Sequence, residues 1–157
     1  MQLYHGTDRQ SARKIEKNGI DLSAGREHLD FGQGFYMTDV KGVAKQWAQR
    51  NSLLTANNCA VLTFELDTNV IDIQRLDQDS ELWNNVVYGN RISGIDTSSG
   101  DCIVGPIADG LMSEIIGADL TYEQFCHLVK PAKRGRQFVA KTQKCVSALK
   151  LTNKEMF

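Results

Sequence analysis

The sequence predicts a mixed α+β domain, and three observations carry that prediction. Helix-period segments come early and midway while short strand-period segments are scattered between them, which suits α+β better than a doubly wound α/β sheet. The chain has 157 residues, a length at which one hydrophobic core is expected. Its 41% hydrophobic and 24% charged residues are ordinary globular values. There is no internal repeat and no low-complexity linker, so residues 1–157 are taken as a single domain.

The elements follow in order. Gln2-Leu-Tyr-His5 reads as an opening strand, and Ser11 to Asn18 as a helix with Ala12 and Ile15 on one face and Gly19 as its stop. Phe35-Tyr-Met-Thr38 is strand-like. Val40, Val43, Ala44, Trp47 and Ala48 fall at helical spacing with polar residues between them. Ala60 to Leu66 alternates, with Leu62, Phe64 and Leu66 set against Thr63 and Glu65, as a half-buried strand does. Val70 to Ile73 is a further strand candidate, and Leu82, Trp83, Val86 and Val87 predict a helix after Asp79-Ser80.

Cys102-Ile-Val104 reads as a strand leading to a turn at Gly105-Pro-Ile-Ala-Asp109. Leu111 to Ile116 reads as helical, and Thr121 to Val129 as a capped helix with Gln124 three residues after the Thr121 cap. Lys130 to Arg136 is expected to be a solvated basic loop. Arg136 to Lys141 reads as the last clear strand, and Thr142 as the cap of a short helix carrying Val146 and Leu149.

Bulk properties exclude several functions. A net charge of −1 provides no global positive field for nucleic acid, although the Lys130–Arg136 run offers a local one. No stretch approaches the roughly 18 apolar residues of a membrane helix. Met1-Gln-Leu-Tyr-His lacks the cationic start and apolar run of a secretory signal, so a cytoplasmic location is expected. Cys59, Cys102, Cys126 and Cys145 are scattered without a Cys-x-x-Cys pair, which predicts free thiols and neither zinc nor a disulfide framework. His28 and His127 have no metal-ligand spacing to another His or Cys. No Gly-x-Gly-x-x-Gly after a strand and no phosphate-binding Lys loop is present.

Two segments carry ligand chemistry. In Leu3-Tyr4-His5-Gly6-Thr7, the glycine permits close approach of a ligand to backbone N–H and C=O, and a neutral His beside it is expected to donate to a ribose hydroxyl. In Asp30-Phe31-Gly32-Gln33-Gly34-Phe35-Tyr36-Met37-Thr38, two glycines feed an aromatic strand. Phe35 and Tyr36 there must point to opposite faces, so that one packs while the other stacks.

Taken together, His5-Gly6-Thr7 and then Gly34-Phe35-Tyr36-Met37-Thr38 followed by the Ala44–Trp47–Ala48 helix resemble the ADP-ribosyltransferases. The likeness is to the diphtheria-toxin and poly(ADP-ribose) polymerase branch, with its His, Tyr and Glu triad. Adding Gly105-Pro-Ile-Ala-Asp109 and Arg136-Gln137-Phe138, nearly the whole chain resembles a small bacterial family of domains related to these transferases, whose members often look like the toxin of a toxin–antitoxin pair.

The resemblance implies two small antiparallel sheets around an NAD+ cleft with flanking helices. His5 would hold the adenosine-side ribose, Gly6 the nicotinamide amide through its backbone, and Tyr36 would stack on the nicotinamide ring. Thr7, Gly34, Phe35 and Thr38 would complete the cofactor-binding segments. No metal is implied.

The sequence departs from the triad at its third member, where Gln137 stands in place of Glu. Gln keeps a hydrogen bond to the ribose 2″-hydroxyl and an oxygen for the oxocarbenium-like charge, but it accepts no proton. A base would come from elsewhere, with Asp109 the first candidate and Asp101 and Asp30 next; Arg136 or Arg26 is available for a pyrophosphate. The expected activity is mono-ADP-ribosyl transfer from NAD+ to a protein or nucleic-acid acceptor, with a cognate antitoxin as partner. The alternatives are an NAD+ glycohydrolase and a catalytically degenerate NAD or partner-binding module.

Overall fold

The computed structural model describes residues 1–55, 58–110 and 119–157. Its strands are β1 (Gln2–Asp8), β2 (Phe35–Thr38), β3 (Cys59–Leu66), β4 (Ile73–Arg75), β5 (Cys102–Gly110), β6 (Val129–Ala140) and β7 (Leu149–Met156). Its α-helices are α1 (Arg9–Asn18), α2 (Lys41–Thr55), α3 (Ser80–Tyr88), α4 (Tyr122–Leu128) and α5 (Gln143–Ser147), with a 3-10 turn at Leu22–Ala24 and a π turn at Gly89–Ser93.

The α+β class stands. The expected pair of sheets is instead one seven-stranded sheet in the order β4-β5-β6-β2-β1-β3-β7, antiparallel except for the parallel β4–β5 pair. The short strand β2 joins what would be two sheets. It pairs with β6 along its whole length, from Phe35↔Ala140 to Thr38↔Gln137. It meets β1 at the single position Tyr4↔Thr38.

Side-chain alternation explains the layers. Leu3, Phe35, Met37, Leu62, Phe64, Val104 and Phe138 share one face and bury against Ala12 and Ile15 of α1 and Cys145 and Val146 of α5. On the opposite face, α2 covers β1 and β3 through Ala44, Ala48 and Val61. There too, α3 and α4 cover β5 and β6 through Trp83, Val86, Phe125, Ile103 and Val139. Burying one Trp or Phe of such a cluster contributes roughly 1.5–3 kcal/mol.

Local chemistry sets the helix ends. Asp8 caps α1 by accepting from the N–H groups of Gln10 and Ser11 at 2.9 and 3.0 Å. Gly19, at φ 83°, closes it by donating to Ile15 O. Asp79 caps α3, and Thr121 with Gln124 forms the expected capping box of α4.

Several sequence expectations need correction. β3 is buried at Val61 and Thr63 as well as on its apolar face, because α2 lies over it, so it is not half-buried. The strand expected at Val70–Ile73 begins only at Ile73, where pairing with Cys102 becomes available. Lys130 to Arg136 lies within β6 rather than in a loop, paired to β5 at Lys130, Pro131 and Arg136 with Ala132–Gly135 bulging between them. Leu149 opens β7 rather than riding on α5, and β7 follows the strand that was read as last. The helix expected at Leu111–Ile116 lies outside the described residues. No helix among the described residues is long and apolar enough to cross a membrane.

Candidate functional site

Between α2 on one side and α3 with α4 on the other lies a strip of sheet at β2, and of the sequence-selected residues Gly6, Tyr36, Thr38 and Gln137 belong to its face. Tyr4↔Thr38 and Thr38↔Gln137 are ladder partners, so Tyr4, Gly6, Tyr36, Thr38 and Gln137 all belong to the same face. Opposed Cβ atoms in such a ladder stand about 5 Å apart, and diagonal neighbours such as Tyr36 and Gln137 about 7–8 Å.

The β1–β2 ladder ends after Tyr4↔Thr38. Met1 N bonds Leu66 O and Arg9 N bonds Asn58 O, so odd-numbered residues of β1 direct their backbone groups to β3. The N–H and C=O of Gly6 therefore face β2, in the stretch where pairing has stopped. Asn51 Nδ2 approaches Gly6 O at 3.4 Å. Glycine is required here for a packing reason too, because a Cβ would lie 1.8 Å from Ala44 O and 2.9 Å from Ala48 N.

His5 bridges the same gap. Its Nδ1 lies 2.7 Å from Tyr36 O, and its ring stacks on Phe35 at 4.2 Å between centroids. Burial pulls its pKa down to about 4, the bond to Tyr36 only partly offsetting this, so the ring is neutral near pH 7. A carbonyl only accepts, hence Nδ1 carries the proton and Nε2 is an acceptor. In this tautomer Nε2 can only accept, so the expected donation from His5 to a ribose hydroxyl does not fit the ring as it is held. His5 also lies on the face opposite Gly6 and Tyr36, with Phe35 and Leu3.

Tyr36 packs against the core beneath α3, while Phe35 packs on the other face, as the alternation required. Its hydroxyl donates to Gly32 O at 2.7 Å and accepts from Phe31 N–H at 3.0 Å. Burial, with Asp30 close by, raises the phenol's pKa far above its usual value, so it stays protonated. Gly34 is needed for contact with β6, since a Cβ would come within 2.6 Å of Val139 Cγ1 and 2.7 Å of Ala140 O. Thr7 is buried at the end of β1, and Thr38 accepts from Val40 N–H at 3.2 Å to start α2.

Gln137 is 3% exposed and donates Nε2–H to Asp30 Oδ2 at 2.8 Å and to Pro106 O at 3.2 Å. Asp30, one of the base candidates, is instead committed to its neighbours. It is the hub of a buried network in which Arg91 donates through Nε and Nη2 to Oδ1 at 2.9 and 2.6 Å, and Ala108 N–H donates to Oδ2 at 3.1 Å. Sequence reasoning missed Arg91, because nothing in Asn90-Arg-Ile distinguishes a half-buried, paired arginine from a surface one.

The remaining candidates lie elsewhere or are committed. The expected turn at Gly105–Asp109 is continuous strand, so Asp109 is not aimed at the strip. It pairs opposite Lys130, whereas Gln137 is opposite Gly105, about 13 Å away along β5. Asp101 ties β4 to α5: it accepts from Asp72 N–H, Thr142 Oγ1 and Lys144, which pull its carboxyl down to about 2. Arg136 is held by Asp39 at 2.8 Å and Asp77 at 3.5 Å rather than left open for a pyrophosphate. Arg26 is exposed.

Outside the glycine loop, a shallow cavity of about 460 Å³ is lined by His28, Gly32, Gln33, Asn90, Asp96 and Lys141 among others. There Lys141 Nζ bonds both Phe31 O at 2.7 Å and Asp96 at 2.8 Å, fixing the loop from outside.

Residues 1–151 match the family described as "Protein of unknown function (DUF3990)", and the chain belongs to that family. A search of the curated proteins gave no match.

Proposed function

We propose that this DUF3990 member is an NAD-dependent mono-ADP-ribosyltransferase. One observation carries the reading. A glycine whose amide groups face an opened strand gap, a tyrosine ring and an outward-facing glutamine oxygen share one strip of sheet within the span of a nicotinamide riboside. Gly6 N–H and C=O suit a carboxamide, which needs one donor and one acceptor side by side. The Tyr36 ring flanks it, while His5, on the opposite face, is reached through the opened β1–β2 gap, where its Nε2 takes a hydroxyl of the adenosine-side ribose.

Gln137 accepts from the nicotinamide-side 2″-hydroxyl and sets a partial negative charge near C1″. The C1″–N bond breaks, nicotinamide leaves with the electron pair, and a macromolecular nucleophile closes on C1″ and releases its proton. Among the described residues the strip presents no strong base, so on this reading the acceptor is nucleophilic in its own right or brings its own proton acceptor. The resemblance to toxins of toxin–antitoxin pairs adds a cognate antitoxin covering the strip as partner.

A second reading, a module that binds NAD+ or a partner without turnover, is favoured by Gln137, which cannot take a proton. Labelled NAD+ incubated with wild-type protein, Tyr36→Ala and fractionated lysate separates the readings. Label in protein or nucleic acid, lost in Tyr36→Ala, supports the transferase and names the acceptor class. Free ADP-ribose alone identifies water as the acceptor. Unchanged NAD+ in every tube rejects catalysis in favour of the binding module.

A further inference from the structure

Gln137 is not placed among its neighbours as a glutamate replaced by chance. Both groups facing its amide, the Asp30 carboxylate and the Pro106 carbonyl, only accept hydrogen bonds, so only the NH2 end can point at them. The side-chain oxygen must therefore point the other way. It bonds no donor among the described residues, yet no buried side-chain polar atom there lacks a partner. Oε1 thus opens to solvent, through the 3% of Gln137 that is exposed.

The counterpart that enforces this is equally fixed. Asp30 is 4% exposed, and its two oxygens are divided between Arg91 on one side and Gln137 with Ala108 N–H on the other. An Asp30 free to swing would lose that division. Arg91 prevents this by holding Oδ1 through two nitrogens.

We propose that Asp30 and Arg91 are positioning residues that preset the Gln137 amide with its oxygen outward, making position 137 a dedicated acceptor for a ligand hydroxyl. The orientation stands on the hydrogen bonds alone; identifying the hydroxyl as the nicotinamide-side ribose 2″-OH rests on the transferase reading. On this account the glutamine is the residue the surroundings require. A glutamate in its place would set a carboxylate against the Asp30 carboxylate and the Pro106 carbonyl, and two such acids share one proton.

Two measurements test this. In the first, Tm of wild type and Gln137→Glu is compared from pH 5 to pH 8. The folded variant holds a shared proton that the unfolded chain releases, so its deficit is expected to be small at pH 5 and to widen by several degrees toward pH 8. A deficit independent of pH overturns the contact with Asp30 and, with it, the preset amide.

In the second, the rate of NAD+ labelling is measured in Arg91→Met and Arg91→Lys, each in the wild-type and Gln137→Ala backgrounds. Arg91→Met is expected to slow labelling about 10-fold at saturating NAD+ with KM little changed, and Arg91→Lys, which keeps the charge, to recover most of it. In the Gln137→Ala background, Arg91→Met should add nothing, because its effect passes through that amide. Additive effects overturn the positioning role. If no protein labels at all, the transferase reading and the identity of the hydroxyl fall together, and the pH series alone decides whether the amide is preset.

Discussion

Replacing Gly6 by alanine tests whether β1 and α2 are packed backbone to backbone. The new Cβ would stand 1.8 Å from Ala44 O, 2.7 Å from Ala44 C and 2.9 Å from Ala48 N. None of these atoms belongs to a side chain that can rotate away, so α2 must lift from the sheet by more than an ångström at the turn where Ala44 and Ala48 are fully buried. Overpacking costs about 1–3 kcal/mol and occasionally more. The rigidity of the contact places Gly6→Ala near 3, even after the several tenths that alanine regains through the unfolded chain. For a chain of this size that is a fall in Tm of about 6–12 °C.

Urea unfolding followed by far-UV circular dichroism measures it, with Gly42→Ala as the companion. Gly42 lies in the same helix with nothing within 4 Å of the added Cβ, so alanine there should stabilise by up to about 1 kcal/mol. A Gly6→Ala midpoint at or above that of wild type, with an unchanged denaturant slope, would refute the packing argument.

Three further outcomes are expected. His5 has a folded pKa of about 4 against 6.5 unfolded, so the unfolded chain gains the proton first. Stability is complete above pH 6.5 and falls by up to about 3 kcal/mol as pH drops toward 4, and His5→Gln should flatten that part of a urea-midpoint series taken from pH 7 to 4. Tyr36→Phe strands Phe31 N–H and Gly32 O; a loss of about 1–3 kcal/mol by thermal unfolding is expected, with α-helical ellipticity retained. Asp8→Ala removes the cap of α1 and should cost about 1–2 kcal/mol in the same assay. Burial raises the Asp8 carboxyl, but the Ser11 and Gln10 bonds outweigh it and hold it below its ordinary value; the loss should therefore shrink in acid, as wild type itself forfeits the bonds of the charged form.

What was legible in the sequence is what depends on neighbours along the chain. The caps at Thr121 and Thr142, the stop at Gly19 and the opposite-face placement of Phe35 and Tyr36 needed only local spacing and came out as expected. What failed depends on partners far away. Lys133 and Arg134 carry no strand signature, and it is the pairing of Lys130, Pro131 and Arg136 with β5 on either side of them that makes this stretch part of β6. Ala132 to Gly135 bulges opposite Ile107, with Gly135 at φ 124°. Asp109 was assigned on the belief that Gly105-Pro106 turns the chain. Here the proline sits beside that bulge, where a strand tolerates its missing N–H. The Asp30–Arg91 pair spans residues too far apart for any local pattern to announce it.

The strand order also has a temporal side. β1, β2, β3, α1 and α2 are all encoded before Asp67, so the strip around Gly6 and Tyr36 can be laid down while the rest of the chain is still being made. Gln137 and the β6 segment that closes onto β2 arrive more than half a chain later, and Pro106 and Arg91 only somewhat before them. A product that stops short of β6 keeps the glycine and the tyrosine but has no group at position 137 and no partner for the free edge of β2. Whatever chemistry needs a group at position 137 is withheld from a nascent chain until β6 has been made and has paired with β2.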